Sequence, residues 1–130
     1  MIIDASVIVA IIRDEPEADH FIDVIAGDER PAMSAATYVE VGLVIDSRRD
    51  PAASASLDEL IAALEIEISP FTVEQARLAR EAYKIFGKGS GHPARLNFGD
   101  GFSHALASDR ERPLLFKGED FSRTDLQPAL

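Results

Sequence analysis

Residues 1–12 read MIIDASVIVAII, with an aspartate at position 4 between Ile2–Ile3 and the apolar run Val7–Ile8–Val9. A carboxylate beside a core is costly unless a partner or a proton compensates it. The first basic residue is Arg13, so nothing inside this stretch supplies a cation. Ile2–Asp4 is short, apolar and closed by a polar residue, the pattern of a buried strand. Ser6 is placed to cap a helix running to about Ile12. A strand that passes directly into a helix predicts a parallel sheet, with Asp4 at the carboxyl edge where such sheets collect ligands.

The rest of the chain repeats that alternation. Glu15 to Ala26 reads as a helix with Ala18, Phe21, Ile22 and Ile25 on one face. Pro31–Met33 reads as a strand, and Ser34 caps a helix through about Arg48. Ser54–Leu64 is helical, Ile66–Ile68 is a strand, and Val73–Phe86 is a helix stopped by Gly87. GKGSGHPAR (87–95) is a loop, read as a flexible rim, and it lacks the GK[ST] spacing of a phosphate-binding loop. Asn97–Ala107 is helical and Pro113–Phe116 is a fourth strand. The expected fold class is α/β, a parallel sheet covered by helices on both faces.

The 130 residues fit one domain, 1–130. No membrane-length apolar run and no signal peptide is present, so a soluble, cytoplasmic protein is expected. The absence of cysteine excludes disulfides, thiolate metal sites and thiol nucleophiles. The net charge of −10 is uneven: 15 acids face 4 Lys/Arg through Glu67, and 8 face 9 beyond it. An acidic chain is not the usual footprint of a nucleic-acid binder, so any such role needs a local basic surface.

Four acids fall where elements would bring them to one sheet edge. Asp4 ends the first strand, its competing reading being a helix cap. Glu40, in SAATYVEVGLVIDS (34–47), shares a helical face with Ala36, Leu43 and Ser47, expected to be the core side. A buried structural glutamate paired with arginine is the alternative. Asp100, in RLNFGDGFSHAL (95–106), shares its face with Ser103 and His104. With Asn97 as the cap, it also fits the acidic position of a capping box. Gly99 and Gly101 would leave room there for a close ligand. Glu119 and Asp120 follow the fourth strand, where an isolated pair reads equally as a surface turn. Converging carboxylates repel and protonate unless a cation joins them. Mg²⁺ or Mn²⁺ suits an all-oxygen site, and such ions support phosphodiester cleavage.

These blocks carry a resemblance. MIIDASVIVAII, SAATYVEVGLVI, LNFGDGFSHALA and LLFKGEDFSRTDL, in order, resemble PIN-domain ribonucleases, most of all the mycobacterial VapC toxins of toxin–antitoxin pairs. The resemblance implies a three-layer α/β/α sandwich, Mg²⁺- or Mn²⁺-dependent endoribonuclease activity, homodimers and inhibition by a cognate VapB-like antitoxin. Asp4, Glu40 and Asp100 would be metal-binding, catalytic acids and Asp120 the fourth. Many relatives carry that acid nearer the position of Gly118, so Glu119 competes for the role. Ser6 and Ser103 match small polar positions that help hold ligands or water.

Arg77, Arg80 and Lys84 fall on one helical face and lead through Lys88 and Arg95 towards Asp100. This strip is the candidate RNA contact, against the alternative of a solvated face. Single-stranded or looped RNA is the expected substrate. His20 and His92 read as surface residues, and His104 as a packed or supporting one. Tyr38, Val41 and Ile45, behind Glu40, suggest a dimer contact, with further burial inside the monomer as the alternative. An antitoxin arginine among the carboxylates would displace metal. Ser6, two residues after Asp4, argues against a haloacid-dehalogenase phosphatase, which needs aspartate there. The receiver-domain pattern of an early acidic pair is absent too. The surviving alternative is a degenerate PIN domain that binds RNA or antitoxin without cutting.

Overall fold

The computed structural model describes all of residues 1–130. Four short strands, β1 (Ile2–Ile3), β2 (Ala32–Ser34), β3 (Glu67–Ser69) and β4 (Leu114–Leu115), pair in parallel in the order β3-β2-β1-β4. Six helices connect them: α1 (Ala5–Ile12), α2 (Ala18–Ala26), α3 (Ala35–Asp46), α4 (Pro51–Ala63), α5 (Val73–Phe86) and α6 (Phe98–Arg110). The two-residue period of the strands sorts the core into two layers. Ile3, Met33 and Leu115 join Val7, Ile8, Phe21, Val41, Ile45 and Leu57 of α1–α4. Ile2, Ala32 and Leu114 join Leu96 and Leu106 on the α6 side. The result is the expected three-layer α/β/α sandwich.

The register aligns Ile2 with both Ala32 and Leu114, so β1 is central. The chain steps from β1 to β2 to β3 in one direction and then returns to place β4 on the other side of β1. That reversal is a topological switch point, and its carboxyl end is where a crevice opens in this architecture. The segment past Phe121 also extends the sheet: Leu114 N–H donates to Gln127 O, and Ala129 N–H donates to Leu114 O. No helix is long and apolar enough to cross a membrane.

Several expectations are corrected. Asp4, not Ser6, caps α1, with its side chain accepting the Ser6 N–H. Helix α4 begins at Pro51 behind an Asp50 cap, since proline is preorganised for a first turn. Helix α2 starts only at Ala18, and Glu15 and Glu17 ahead of it pair with Lys117. The 87–95 segment is pinned rather than a free rim: Lys88 N–H donates to Leu96 O, Leu96 N–H donates to Phe86 O, and Ala94 is buried. Gly89 and Gly91 supply the positive φ that its turns require. His92 is half-buried against Phe86, ring edge to face at 5.0 Å, rather than on the surface. His104 is buried between Asp125 (2.8 Å) and Ser108, fastening the carboxyl-terminal segment to α6.

Helix α3 inverts the expected polarity around Glu40. Its core stripe is Thr37, Val41 and Ile45, while Val39 and Leu43 are 58% and 69% exposed. The helix is apolar on nearly every side, so its periodicity does not single out one face. Val41 and Ile45 lie in the monomer core and are not free for a dimer contact, while half-buried Tyr38 donates its hydroxyl to Asp58.

Candidate functional site

Asp4 sits at the carboxyl end of β1 with 4% of its surface exposed. Its compensation is hydroxyl and amide, not cationic. Oδ2 accepts from Ser6 N–H (3.0 Å) and Ser6 Oγ–H (2.7 Å), and Oδ1 accepts from Ser103 Oγ–H at 2.6 Å. Ser103 in turn lies 3.3 Å from the buried Thr37 hydroxyl. Ser6 accepts the backbone N–H of Lys117, tying the α1 start to the end of β4. The helix-cap reading of Asp4 holds through Oδ2, and Oδ1 is engaged by Ser103.

Asp100 is 7% exposed in the first turn of α6. Both halves of the capping box form: Asp100 N–H donates to Asn97 Oδ1, and Asn97 N–H donates to Asp100 Oδ2 at 2.8 Å. Burial nevertheless pushes its carboxyl up to about 7. The Asn97 hydrogen bond opposes that rise, and the charges of Asp4, Asp120 and Glu40 add to it.

Glu40 approaches from α3, half-buried, with no arginine beside it. Its Oε2 is buried without a partner. Desolvation, then the Asp4 charge, pushes this carboxyl up to about 7. The space Gly99 leaves is taken by Glu40 itself, since a β-carbon there would overlap its carboxylate. The room at Gly101 is taken by the Tyr83 ring, 3.0 Å from where a β-carbon would stand. Neither glycine therefore keeps an open ligand cradle.

Asp120 and Glu119 are both exposed in the loop after β4. Asp120 is the one whose charge Asp100 feels. Both line a cleft of about 540 Å³ with Asn97, Lys88, Arg95 and Arg123. The four acids share one end of the sheet, but no three carboxylate or imidazole groups close on a common point at ligand spacing.

The basic strip divides. Lys88 and Arg95 face the acid-bearing cleft, joined by Arg123, which sequence reasoning missed because it follows the acids in the chain. Arg80 and Lys84 instead border an apolar groove with Phe71, Tyr83, Phe98 and Phe102. Lys84 is paired with Glu81 (2.8 Å) and Arg77 with Glu74 (3.4 Å), both well exposed. Thr37 and Tyr83 were also missed: each is a lone polar residue in an apolar stretch, without a spacing signal. A surface depression of about 860 Å³ lies at the opposite end of the sheet. There Arg112 and the terminal ammonium hold Asp28, and Arg110 holds Glu67, so its charges are already satisfied.

Comparison with known proteins places this geometry. The PIN domain family model matches residues 1–126. The chain is 55% identical over 130 residues to Ribonuclease VapC28 of Mycobacterium tuberculosis, covering all of this chain and 98% of that protein. It is 43% identical over 129 residues to Ribonuclease VapC42 of the same species, covering 99% and 98%. Among solved structures, the M. tuberculosis toxin VapC20, described as cleaving the Sarcin-Ricin loop, superposes with a TM-score of 0.75 at 15% identity, covering 96% and 95%. VapBC2 of Rickettsia felis, bound to a promoter DNA fragment, gives 0.71 at 14% identity, covering 98% and 94%. A parallel sheet with buried acids at its switch point and full-length identity of this size lead to one assignment: the chain belongs to the PIN-domain family, in its VapC ribonuclease branch.

Proposed function

We propose that the chain is a VapC-type toxin, one PIN domain over 1–130, working in the cytoplasm as a divalent-cation-dependent endoribonuclease on single-stranded or looped RNA. The observation that carries the chemistry is a charge deficit. Asp4 and Asp100 are buried and Glu40 half-buried at one edge, with no cationic partner, and two of the three carboxyls are pushed up to about 7. A hard cation reverses that cost, and the all-carboxylate donor set with the orphaned Oε2 of Glu40 fits Mg²⁺ or Mn²⁺. Asp4, Glu40 and Asp100 would hold it, with Asp120 as the fourth acid. When bound, such an ion polarises the phosphodiester and lowers the pKa of water at the site. Ser103 and Ser6 orient Asp4 by their hydrogen bonds. Lys88 and Arg95 would receive phosphates beside the cleft and Arg80 would contribute further out, while Arg77 and Lys84, paired with Glu74 and Glu81, add little. The non-cutting alternative rests on the displaced fourth acid, and the charge of Asp120, which adds to the rise at Asp100, supports the reading that Asp120 takes that place.

The partners follow from the same surface. A VapB-like antitoxin would inhibit by setting an arginine among the carboxylates in place of the cation. A second copy of the chain would cover Val39, Leu43 and Phe98, the last 76% exposed, giving a homodimer. The test is cleavage of a mixed pool of structured RNAs in Mg²⁺ and in Mn²⁺, with a chelator control. Asp4→Asn and Asp100→Asn stand beside the wild type. Metal-dependent cutting lost in both variants supports the reading. A folded, cation-binding wild type that cuts nothing in any pool would sink it.

A further inference from the structure

The loop that leaves β4 is tied down at one residue. Between Leu115 and Phe121, both buried, every hydrogen bond to a distant segment belongs to Lys117. Gly118, which follows it, turns at φ +98 with open space where a β-carbon would stand, so packing does not hold the chain there. Lys117 makes two kinds of contact. Its backbone N–H donates to Ser6 Oγ at 3.0 Å. An N–H cannot accept, so the single Ser6 hydroxyl proton is left for Asp4 Oδ2, 2.7 Å away. A hydroxyl that already accepts one hydrogen bond donates more strongly. The Lys117 ammonium lies between two carboxylates, donating to Glu15 and, at 3.0 Å, to Glu17. Both acids belong to the turn between α1 and α2. Glu15 is itself fixed there, its N–H donating to Ala10 O and its carbonyl accepting from Ala18 N–H. Lys117 thus bridges the two ends of α1, its amide at the first turn and its ammonium past the last. Exposed ion pairs add little stability, so a partly exposed lysine gripped by two acids is better explained by what it places.

We propose that Lys117 is a positioning residue of the acid site: its ammonium, clasped by Glu15 and Glu17, holds its own amide on Ser6, which keeps Asp4 oriented and the Asp120 loop at the cleft. The inference rests on the cation-dependent reading of the acids. Glu15 and Glu17 touch none of those acids, so removing them tests the clasp without altering any residue of the site.

The experiment compares wild type with Lys117→Met, Lys117→Arg and the double variant Glu15→Gln with Glu17→Gln. Amide exchange by NMR and melting curves are recorded on the metal-free proteins. Mn²⁺ binding, and kcat and KM on the RNA that the wild type cuts best from a mixed pool, follow. Lys117→Met and the double variant are expected to melt close to the wild type and to exchange the residue 117 amide roughly tenfold faster. Each should lose roughly 10- to 100-fold in kcat at nearly constant KM, the usual effect of removing an outer support. Lys117→Arg, which keeps a cation for both acids, should restore most of the protection and the rate. An unchanged residue 117 amide or an unchanged kcat in the double variant would overturn the clasp and leave the cation reading standing. A raised KM at constant kcat in Lys117→Met would make Lys117 a phosphate contact and overturn it too. A rate loss that tracks a lower melting temperature, without rescue by arginine, would mark loss of fold and have the same consequence. A wild type that protects the amide yet neither binds Mn²⁺ nor cuts RNA would remove the reading of the acids, and the positioning role with it.

Discussion

Gly99 and Glu40 share one volume: a β-carbon on the glycine would fall within the glutamate's carboxylate, although the two residues belong to different helices. The obstacle is the far end of a flexible side chain rather than backbone, so Gly99→Ala has an exit. Glu40 swings out, and α6 gains a few tenths to about 1 kcal/mol of helix propensity. The variant is expected to melt at or slightly above the wild type while RNA cleavage falls by roughly 100-fold, the usual consequence of misplacing a reacting group. Thermal melts alongside a cleavage assay decide it, and wild-type cleavage by a folded Gly99→Ala would mean that Glu40 need not sit where it does.

The raised carboxyls make a signed pH prediction for the metal-free protein. Glu40 and Asp100 titrate near 7 when folded, against ordinary values of 4.5 and 3.8. Below about pH 4 both are protonated folded or unfolded, and they contribute nothing. Between about 4 and 7 the unfolded chain releases protons that the folded chain keeps, so stability falls as pH rises. Above 7 the loss is complete. Because Glu40 is only half-buried, its share is on the order of 1 kcal/mol after allowance for solvent screening. Glu40→Gln should therefore match the wild type at pH 4 and melt a few degrees higher at pH 8. Saturating Mn²⁺ should erase that advantage by stabilising the wild type alone. Parallel melting curves of the two proteins falling or rising together across this range would contradict the assignment.

Much of this was legible in residues, and the failures are instructive. Ile2–Asp4 and Pro113–Phe116 are too short for periodicity, yet apolar runs bounded by polar residues gave strands in the right places. Asn97 and Asp100 carried a capping signature, and both halves of it form. Position along the elements was enough to put four acids at one sheet edge. Orientation about the α3 axis was not legible, because Val39, Val41, Leu43, Val44 and Ile45 offer an apolar face in every direction. The packing of α1, α4, α6 and β2 around α3, which buries Thr37, Val41 and Ile45, breaks the tie. Tyr83 and Thr37 act through contacts made by distant segments, so no local pattern announces them.

Ser103 is the strongest link in the support of Asp4, donating at 2.6 Å from a fully buried position. Ser103→Ala removes that donor, leaves Asp4 Oδ1 unpaired and strips Thr37 of its neighbour. The expected cost is about 1–3 kcal/mol of stability. Cleavage should fall while Ser6 still holds Oδ2. Ser103→Thr, which keeps the hydroxyl, should retain more activity than the alanine variant despite its added methyl. Comparing the two at equal folded fraction separates orientation of Asp4 from loss of fold.

The divided basic strip predicts a graded response to charge reversal. Arg77 and Lys84 already face Glu74 and Glu81, so reversing either one mostly exchanges an exposed ion pair of little worth. Lys88 and Arg95 share the cleft with Asp120, and the proposed function makes them the phosphate contacts there. Lys88→Glu with Arg95→Glu should weaken RNA binding and lower the slope of log affinity against log salt by roughly 0.7 for each phosphate no longer neutralised. Arg77→Glu should leave both nearly unchanged. Binding measured by fluorescence anisotropy on a catalytically silent Asp4→Asn background, from low to moderate salt, tests this directly. If the Arg77 variant weakened affinity and slope as much as the cleft pair, RNA would be following the α5 face, and the path into the acids would have to be redrawn.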